Sequence, residues 1–150
     1  MGRIMAVDFG EKRVGFALSD PSGFLASSLE TAHVSNPGEA LAAVRRLCAA
    51  HAPERIVVGL PLNMDGTTGI AAQKAIAFAS RLREKLGLPV DTWDERLTTR
   101  LVNRMLIEAD VSRSRRREVV DQLAAQVILQ GYLDAHGGND LTEGEGAVGC

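Results

Sequence analysis

The sequence predicts an α/β domain with a five-stranded mixed sheet, three antiparallel strands followed by two parallel strands, flanked by helices. Three observations support this fold class. Apolar residues alternate on both sides of a glycine-containing turn in residues 4–18, which is typical of a β-hairpin. Apolar runs at 55–61 and 88–93 each follow a segment of helical periodicity, which indicates parallel crossovers. At 150 residues the chain is long enough for one domain with a core.

The first half of the chain predicts a three-stranded meander. Residues 4–9 form the first strand, 10–13 the turn and 14–18 the returning strand. Residues 24–34 alternate loosely and predict the third strand. A helix then begins at Asn36 and ends before Pro53, with Leu41, Val44 and Leu47 on one apolar face.

The second half alternates strands and helices. Residues 55–61 are a β-branched run bounded by Gly59 and Pro61, which indicates a strand buried on both faces. A polar loop at 62–69 leads into a helix at 70–86, a strand at 88–93 and another helix capped by Thr98 or Thr99. We expect a polar connection at 112–117, a final helix at 116–135, and a disordered tail at 137–150 after a single domain spanning 1–136.

Composition and charge limit the partners that the protein can be expected to bind. The net charge is −2, but residues 96–117 hold seven arginines against Glu108 and Asp110, a local balance of +5 that leaves −7 elsewhere. Such a concentrated basic stretch can form a phosphate-binding face, although a solvated helix surface would look the same. No apolar run has the length of a membrane span, and we expect a cytoplasmic protein without a membrane partner.

Three carboxylates are the candidate catalytic and metal-ligating residues. Asp8 ends the first strand, Glu95 follows the fifth strand, and Asp121 lies early in the final helix, which packs across the sheet. Converging acids repel one another, and divalent cations relieve this repulsion; two ions about 4 Å apart are the usual arrangement for phosphodiester hydrolysis. With only Cys48 and Cys150 available, the ligands must be oxygens, which favours Mg²⁺ or Mn²⁺. Asp94 could replace Glu95, because adjacent strand residues face opposite ways.

The sequence also resembles a known family. Four blocks, VDFGEKRVGFALSD, VVGLPLNMDGTTG, DERLTTR and VVDQLAAQVILQGYLD, are similar to those of the YqgF/RuvX family, a bacterial branch of the RNase H-like nuclease fold. The resemblance covers residues 3–134. It implies a cytoplasmic, metal-dependent endonuclease that processes the 5′ end of pre-16S rRNA, with Holliday junction resolution as the alternative activity. By position it assigns the three acids to Asp8, Glu95 and Asp121.

Other residues acquire nucleic-acid-binding roles from this resemblance and from their chemistry. Glycines allow close approach of a phosphate, and cations, hydroxyls and amides supply contacts to the backbone. The predicted contacts are Gly10, Lys12, Arg13, Asn63, Thr67, Thr68, Arg96, Thr98, Thr99, Arg113, Arg115, Arg116 and Arg117. The expected partner is structured RNA such as pre-rRNA, or branched DNA.

Three other functions share features of this sequence. A phosphotransferase of the actin and sugar-kinase type also uses an Asp-x-Gly hairpin, but it needs two such domains around one nucleotide. A phosphorelay receiver collects acids at strand ends, but its sheet is wholly parallel. A non-catalytic RNA-binding module for ribosome assembly would keep the same fold. The sequence leaves open the last of these, the natural substrate, and whether the protein is a monomer or a homodimer.

Overall fold

A five-stranded mixed sheet forms the centre of the molecule. The computed structural model describes residues 2–96, 108–109 and 112–140, with the backbone alone for 116–122 and 137–140. The strands are β1 (Ile4–Phe9), β2 (Arg13–Ser19), β3 (Ala26–His33), β4 (Arg55–Leu60) and β5 (Val90–Asp94), in the spatial order β3-β2-β1-β4-β5. The first three strands pair antiparallel, and β4 pairs parallel with both β1 and β5. The predicted fold class is confirmed.

Two helices cover one face of the sheet. Helix α1 (Pro37–His51) starts at Asn36, whose side chain accepts the backbone N–H of Glu39, and proline at the first helical position supports this start. Helix α2 (Ile70–Leu86) ends at Gly87, whose φ of +69° suits a glycine C-cap. Both helices bury apolar side chains against large residues of the sheet, among them Val7, Phe16 and Val58.

One long helix covers the other face. Helix α3 (Arg113–Asp140) contacts β1, β2, β3 and β4 through a core that includes Ala125, Ile128 and Leu129. At the β5 side, the hydroxyl of Tyr132 donates to Asp91 at 2.5 Å. Several sheet residues beneath α3 are small, namely Ala6, Ala17 and Ala26, whereas Val57 is larger. Small side chains let the helix approach the sheet closely.

The far edge of the sheet is held by two glutamines of α3. The backbone N–H of Ala26 donates to the Gln130 side chain at 2.9 Å, and the same side chain donates to the Phe24 carbonyl at 2.9 Å. Gln126 donates to the Ala26 carbonyl at 3.2 Å and accepts from Ser28. These bonds occupy backbone groups that an edge strand would otherwise expose.

The boundaries of the last helix differ from the prediction. It begins at Arg113 rather than 116, because Ser112 accepts the backbone N–H of Arg115 and arginine is a good helix former. It continues to Asp140, so residues 137–140 of the predicted tail are helical. The rest of that tail and the predicted helix after Thr98 lie outside the described residues. In the described part of the chain, no helix combines the length and hydropathy needed to span a membrane.

Candidate active site

Asp8 lies on the α3 face of β1, near the carboxyl end of the strand. Alternation along β1 turns Met5 and Val7 toward α1 and α2, and Ala6 and Asp8 toward α3. The cross-strand partner of Asp8 is Gly15 of β2. A Cβ added to Gly15 would lie 3.8 Å from the Cβ of Asp8 and 3.7 Å from that of Ala125 in α3. Asp8 is therefore close to the helix, beside a position with no side chain.

Glu95 reaches the same face from the other side. It directly follows β5, and its carboxyl group lies over Gly59 of the neighbouring β4. A Cβ added to Gly59 would lie 2.7 Å from Glu95 Oε2 and would also clash with the side chain of Ile128 in α3. Gly59 thus provides the space in which the Glu95 carboxyl group lies between sheet and helix. This role of Gly59 was not predicted, although a glycine inside a β-branched run is a recognisable sign of close approach.

The two acids are electrostatically coupled. Burial, followed by the negative charges of Asp8 and then Asp94, raises the pKa of Glu95 to about 7. A carboxyl group that is buried and lies near a second carboxylate resists ionisation, and a bound cation stabilises its anionic form. The donor set of Asp8 and Glu95 therefore fits a hard, oxygen-preferring cation such as Mg²⁺ or Mn²⁺.

Asp94 faces a different partner. Its carboxylate accepts from Arg96 Nε at 3.0 Å, from the guanidinium nitrogen Nη2 at 2.7 Å, and from the Arg96 backbone N–H at 3.0 Å. The guanidinium balances the charge of Asp94, and both side chains are about a quarter to a third exposed. Of the two adjacent acids, the structure brings Glu95, and not Asp94, over Gly59 beside the α3 helix.

Asp121 belongs to the backbone of α3, one helical turn before Ala125. Its side chain lies outside the described residues, so its approach to the acidic pair stays a prediction. Among the residues whose side chains are described, no group of three or more His, Cys, Asp or Glu is arranged to hold a metal ion. The described part of the candidate site therefore consists of the pair Asp8 and Glu95.

The loop between β4 and α2 is folded on itself by short-range hydrogen bonds. Asn63 Nδ2 donates to the Thr67 hydroxyl at 2.9 Å, and Thr67 donates through its backbone N–H and its hydroxyl to Asp65. These bonds to Thr67 lower the pKa of Asp65. Arg96 reaches across to the Met64 carbonyl at 3.3 Å, so the arginine links this loop to the end of β5.

The other predicted nucleic-acid contacts are spread over the molecule, and one of them, Arg13, is exposed at the start of β2. Gly10 is required by the hairpin turn, since an added Cβ would lie 2.7 Å from the Arg13 carbonyl oxygen. Lys12 lines a cavity on the α1–α2 face, the opposite face of the sheet from Asp8. Arg113 and Arg115 are exposed in the first turn of α3. Thr98 and Thr99, and the side chains of Arg116 and Arg117, lie outside the described residues.

Comparison with known proteins decides the family. The family model of RuvX, described as a Holliday junction resolvase, matches residues 2–135. The chain belongs to the RuvX family. A relative from Moorella thermoacetica named pre-16S rRNA nuclease is 51% identical over 139 residues, covering 93% of this chain and 99% of the relative. One of the same name from Desulforamulus reducens is 47% identical, covering 89% and 97%.

A solved structure supports the fold of this RuvX member. Thermus thermophilus RuvC, determined in complex with a Holliday junction substrate, superposes with a TM-score of 0.50 at 15% identity and covers 68% of this chain and 70% of its own. At this identity the similarity concerns the fold alone. The resemblance that the four sequence blocks carry is confirmed, and so is the predicted RNase H-like fold.

Proposed function

We propose that this protein is a divalent-metal-dependent endonuclease that cleaves phosphodiester bonds of RNA and processes the 5′ end of pre-16S rRNA. The observation that carries the proposal is the coupling of Asp8 and Glu95 beneath α3, in a chain about half identical to relatives named pre-16S rRNA nuclease. Metal-dependent nucleases need several carboxyl groups close together, and Asp8 and Glu95 supply two of them here.

Asp8, Glu95 and Asp121 would hold Mg²⁺ or Mn²⁺, two ions when the site is full. Bound divalent cations supply Lewis-acid stabilisation of the negative charge that develops at the phosphate during hydrolysis. The protein's own contribution is positional. Gly59 leaves room for the Glu95 carboxyl group between the sheet and the side chain of Ile128.

The surroundings of the acids suit a phosphate backbone. Arg113 and Arg115, on the first turn of α3, are exposed and carry positive charge in the same helix as Asp121. The β4–α2 loop, held by Arg96, presents Asn63, Thr67 and Thr68 at the carboxyl end of β4. Such groups would position a strand through its phosphates, with little base-specific readout.

Holliday junction resolution is the second candidate, because the description of the RuvX family names it. A resolvase nicks two symmetry-related strands and therefore acts as a two-fold symmetric dimer. Pre-rRNA cleavage has no such requirement. The two activities are thus separated by substrate and by oligomeric state.

Cleavage by wild type, Asp8→Asn and Asp121→Asn tests the proposal. Each protein is incubated with Mg²⁺ or Mn²⁺ and either a precursor fragment of the 16S rRNA 5′ region or a four-way DNA junction, with Glu84→Gln on the exposed side of α2 as the matched control. We expect cleavage of the RNA by wild type and by the control, and its loss in both other variants. Cleavage of the junction alone would support the resolvase, whereas equal cleavage by all four proteins would refute the metal-dependent site.

A further inference from the structure

A cavity of about 480 Å³ opens on the face of the sheet opposite the acids. It lies between the β1–β2 turn, the start of α1 and the middle of α2. The turn contributes Lys12, α1 contributes Pro37, and α2 contributes Phe78. The volume is within the range of small-molecule sites, which is about 300 to 1,000 Å³.

One wall of this cavity is apolar. The rings of Phe9 and Phe78 are stacked, with centroids 4.3 Å apart and planes 14° from parallel. Ala77 and Pro37 extend the apolar lining around them. Phe78 is only 3% exposed and supports Phe9 from behind, so the surface that a ligand can contact comes mainly from Phe9, Ala77 and Pro37. A flat, weakly polar group would gain most from this wall, because planar rings can pack against aromatic and aliphatic surface together.

The opening of the cavity is basic. Lys12, Lys74 and Arg81 contribute three positive charges and Glu11 one negative charge, a balance of +2. Lys74 forms an ion pair with Glu11, and the two side chains are 48% and 67% exposed. An ion pair this exposed contributes little to stability, so an anionic ligand can replace Glu11 as the partner of Lys74 with little loss of stability. The rim therefore favours a phosphate.

We propose that this cavity binds a nucleotide, with the base against the Phe9–Phe78 wall and the phosphate between Lys12, Lys74 and Arg81. A nucleotide combines a flat ring with an anion, and the cavity offers both environments side by side. An inorganic phosphate would leave the apolar wall uncovered. The nucleotide comes either free from solution or as one unit of a nucleic acid strand that the protein holds.

This site is separate from the acidic pair but close to it in the chain. Asp8 and Phe9 are consecutive in β1, and their side chains lie on opposite faces of the sheet. Binding in the cavity needs none of the three acids. Its failure is therefore distinguishable from failure of the proposed cleavage activity.

Calorimetric titration of the full chain with AMP, GMP and inorganic phosphate tests the proposal, together with fluorescence anisotropy of a short single-stranded oligonucleotide. Ala77→Phe fills the cavity from an exposed helical position, and Lys74→Gln combined with Arg81→Gln removes two rim charges. Lys85→Gln, on the same helix but outside the lining, is the control. Circular dichroism confirms that each variant is folded.

We expect saturable binding of a nucleoside monophosphate that weakens at least about 10-fold in Ala77→Phe and in the double variant, the loss of about 1.4 kcal/mol, and is unchanged in Lys85→Gln. If free nucleotides do not bind but the oligonucleotide loses affinity in the same two variants, the cavity accepts a nucleotide of the strand. If inorganic phosphate bound as tightly as AMP and GMP, the proposal that the base packs against the apolar wall would be wrong. Unchanged affinity for every probe in both variants would overturn the proposal entirely.

Discussion

The two faces of the sheet are built from residues of different size. The face beneath α1 and α2 carries Val7, Phe16 and Val58, which form the larger core. The face beneath α3 carries mostly smaller residues, among them Ala6 and Ala17, with Gly15 beside the carboxyl end of β1 and Gly59 near the carboxyl end of β4. Large side chains stabilise the fold on one face, whereas their absence on the other leaves room for Asp8 and Glu95. We therefore attribute stability mainly to the α1–α2 face and the proposed chemistry to the α3 face.

Substitutions at two neighbouring residues of β4 should show the difference between the two faces most strongly. Gly59→Ala adds a methyl group against Glu95 and Ile128, so we expect cleavage to fall about 100-fold or more through displacement of the carboxyl group. Val58→Ala, on the opposite face of the same strand, should cost about 2 to 3 kcal/mol of unfolding free energy and leave cleavage within about 3-fold. Denaturant unfolding and cleavage rates are measured for both. A Gly59→Ala protein as active as wild type would contradict the role of Gly59 in providing space for the Glu95 carboxyl group.

The pH dependence of stability tests whether Glu95 on the α3 face is the buried acid described here. Because the pKa of Glu95 is raised to about 7 in the folded protein and is about 4.5 unfolded, the folded state holds an extra proton between these values. The stabilisation that comes from protonated Glu95 in the folded state is fully present below about pH 4.5 and is lost as the pH rises through about 7. Relative to Glu95→Gln, the metal-free wild type should lose about 2 kcal/mol by pH 8, after allowance for solvent screening.

Chemical denaturation of both proteins at pH 5 and pH 8, with chelator, measures this loss. Adding Mg²⁺ at pH 8 should recover stability in wild type and not in Glu95→Gln. Parallel pH profiles of the two proteins would show that Glu95 is not the buried, coupled carboxyl group described here.

The arginines at the start of α3 give the smallest expected effect. Arg113→Glu and Arg115→Glu should weaken nucleic acid binding and reduce the slope of log affinity against log salt by roughly 1 for each phosphate that the variant no longer neutralises. Arg45→Glu, exposed on α1 over the opposite face, is the control and should leave the slope unchanged. Filter binding across a salt series measures the effect. Equal slopes for all three variants would place the bound strand elsewhere.

The sheet was predictable because alternation and β-branched runs are local signals that the fold does not override. The strand order, the hairpin presenting Asp8 and the buried β4 all follow from such signals. The prediction that Asp8 and Glu95 share one end of the sheet also needed only the direction of the strands. The helical start at Arg113 was missed, since an arginine-rich segment resembles a loop until Ser112 caps it.

Individual side-chain contacts and the packing of helices on the sheet could not be derived from the sequence. The choice between Asp94 and Glu95 depends on Arg96 binding Asp94, a bond set by how β5 ends. The role of Gly59 depends on which helix packs above it. The cavity beside Phe9 depends on the spacing of α1 and α2, which no residue pattern specifies.

Binding of Mn²⁺ to the metal-free protein tests most directly whether Asp8 and Glu95 form one cation site. Titrations of wild type, Asp8→Asn, Glu95→Gln and Asp94→Asn are followed by electron paramagnetic resonance. We expect the affinity to fall at least about 10-fold in Asp8→Asn and in Glu95→Gln, the loss of one charged ligand, and to stay within about 3-fold in Asp94→Asn. Equal affinity in all four proteins, or a loss confined to Asp94→Asn, would contradict it.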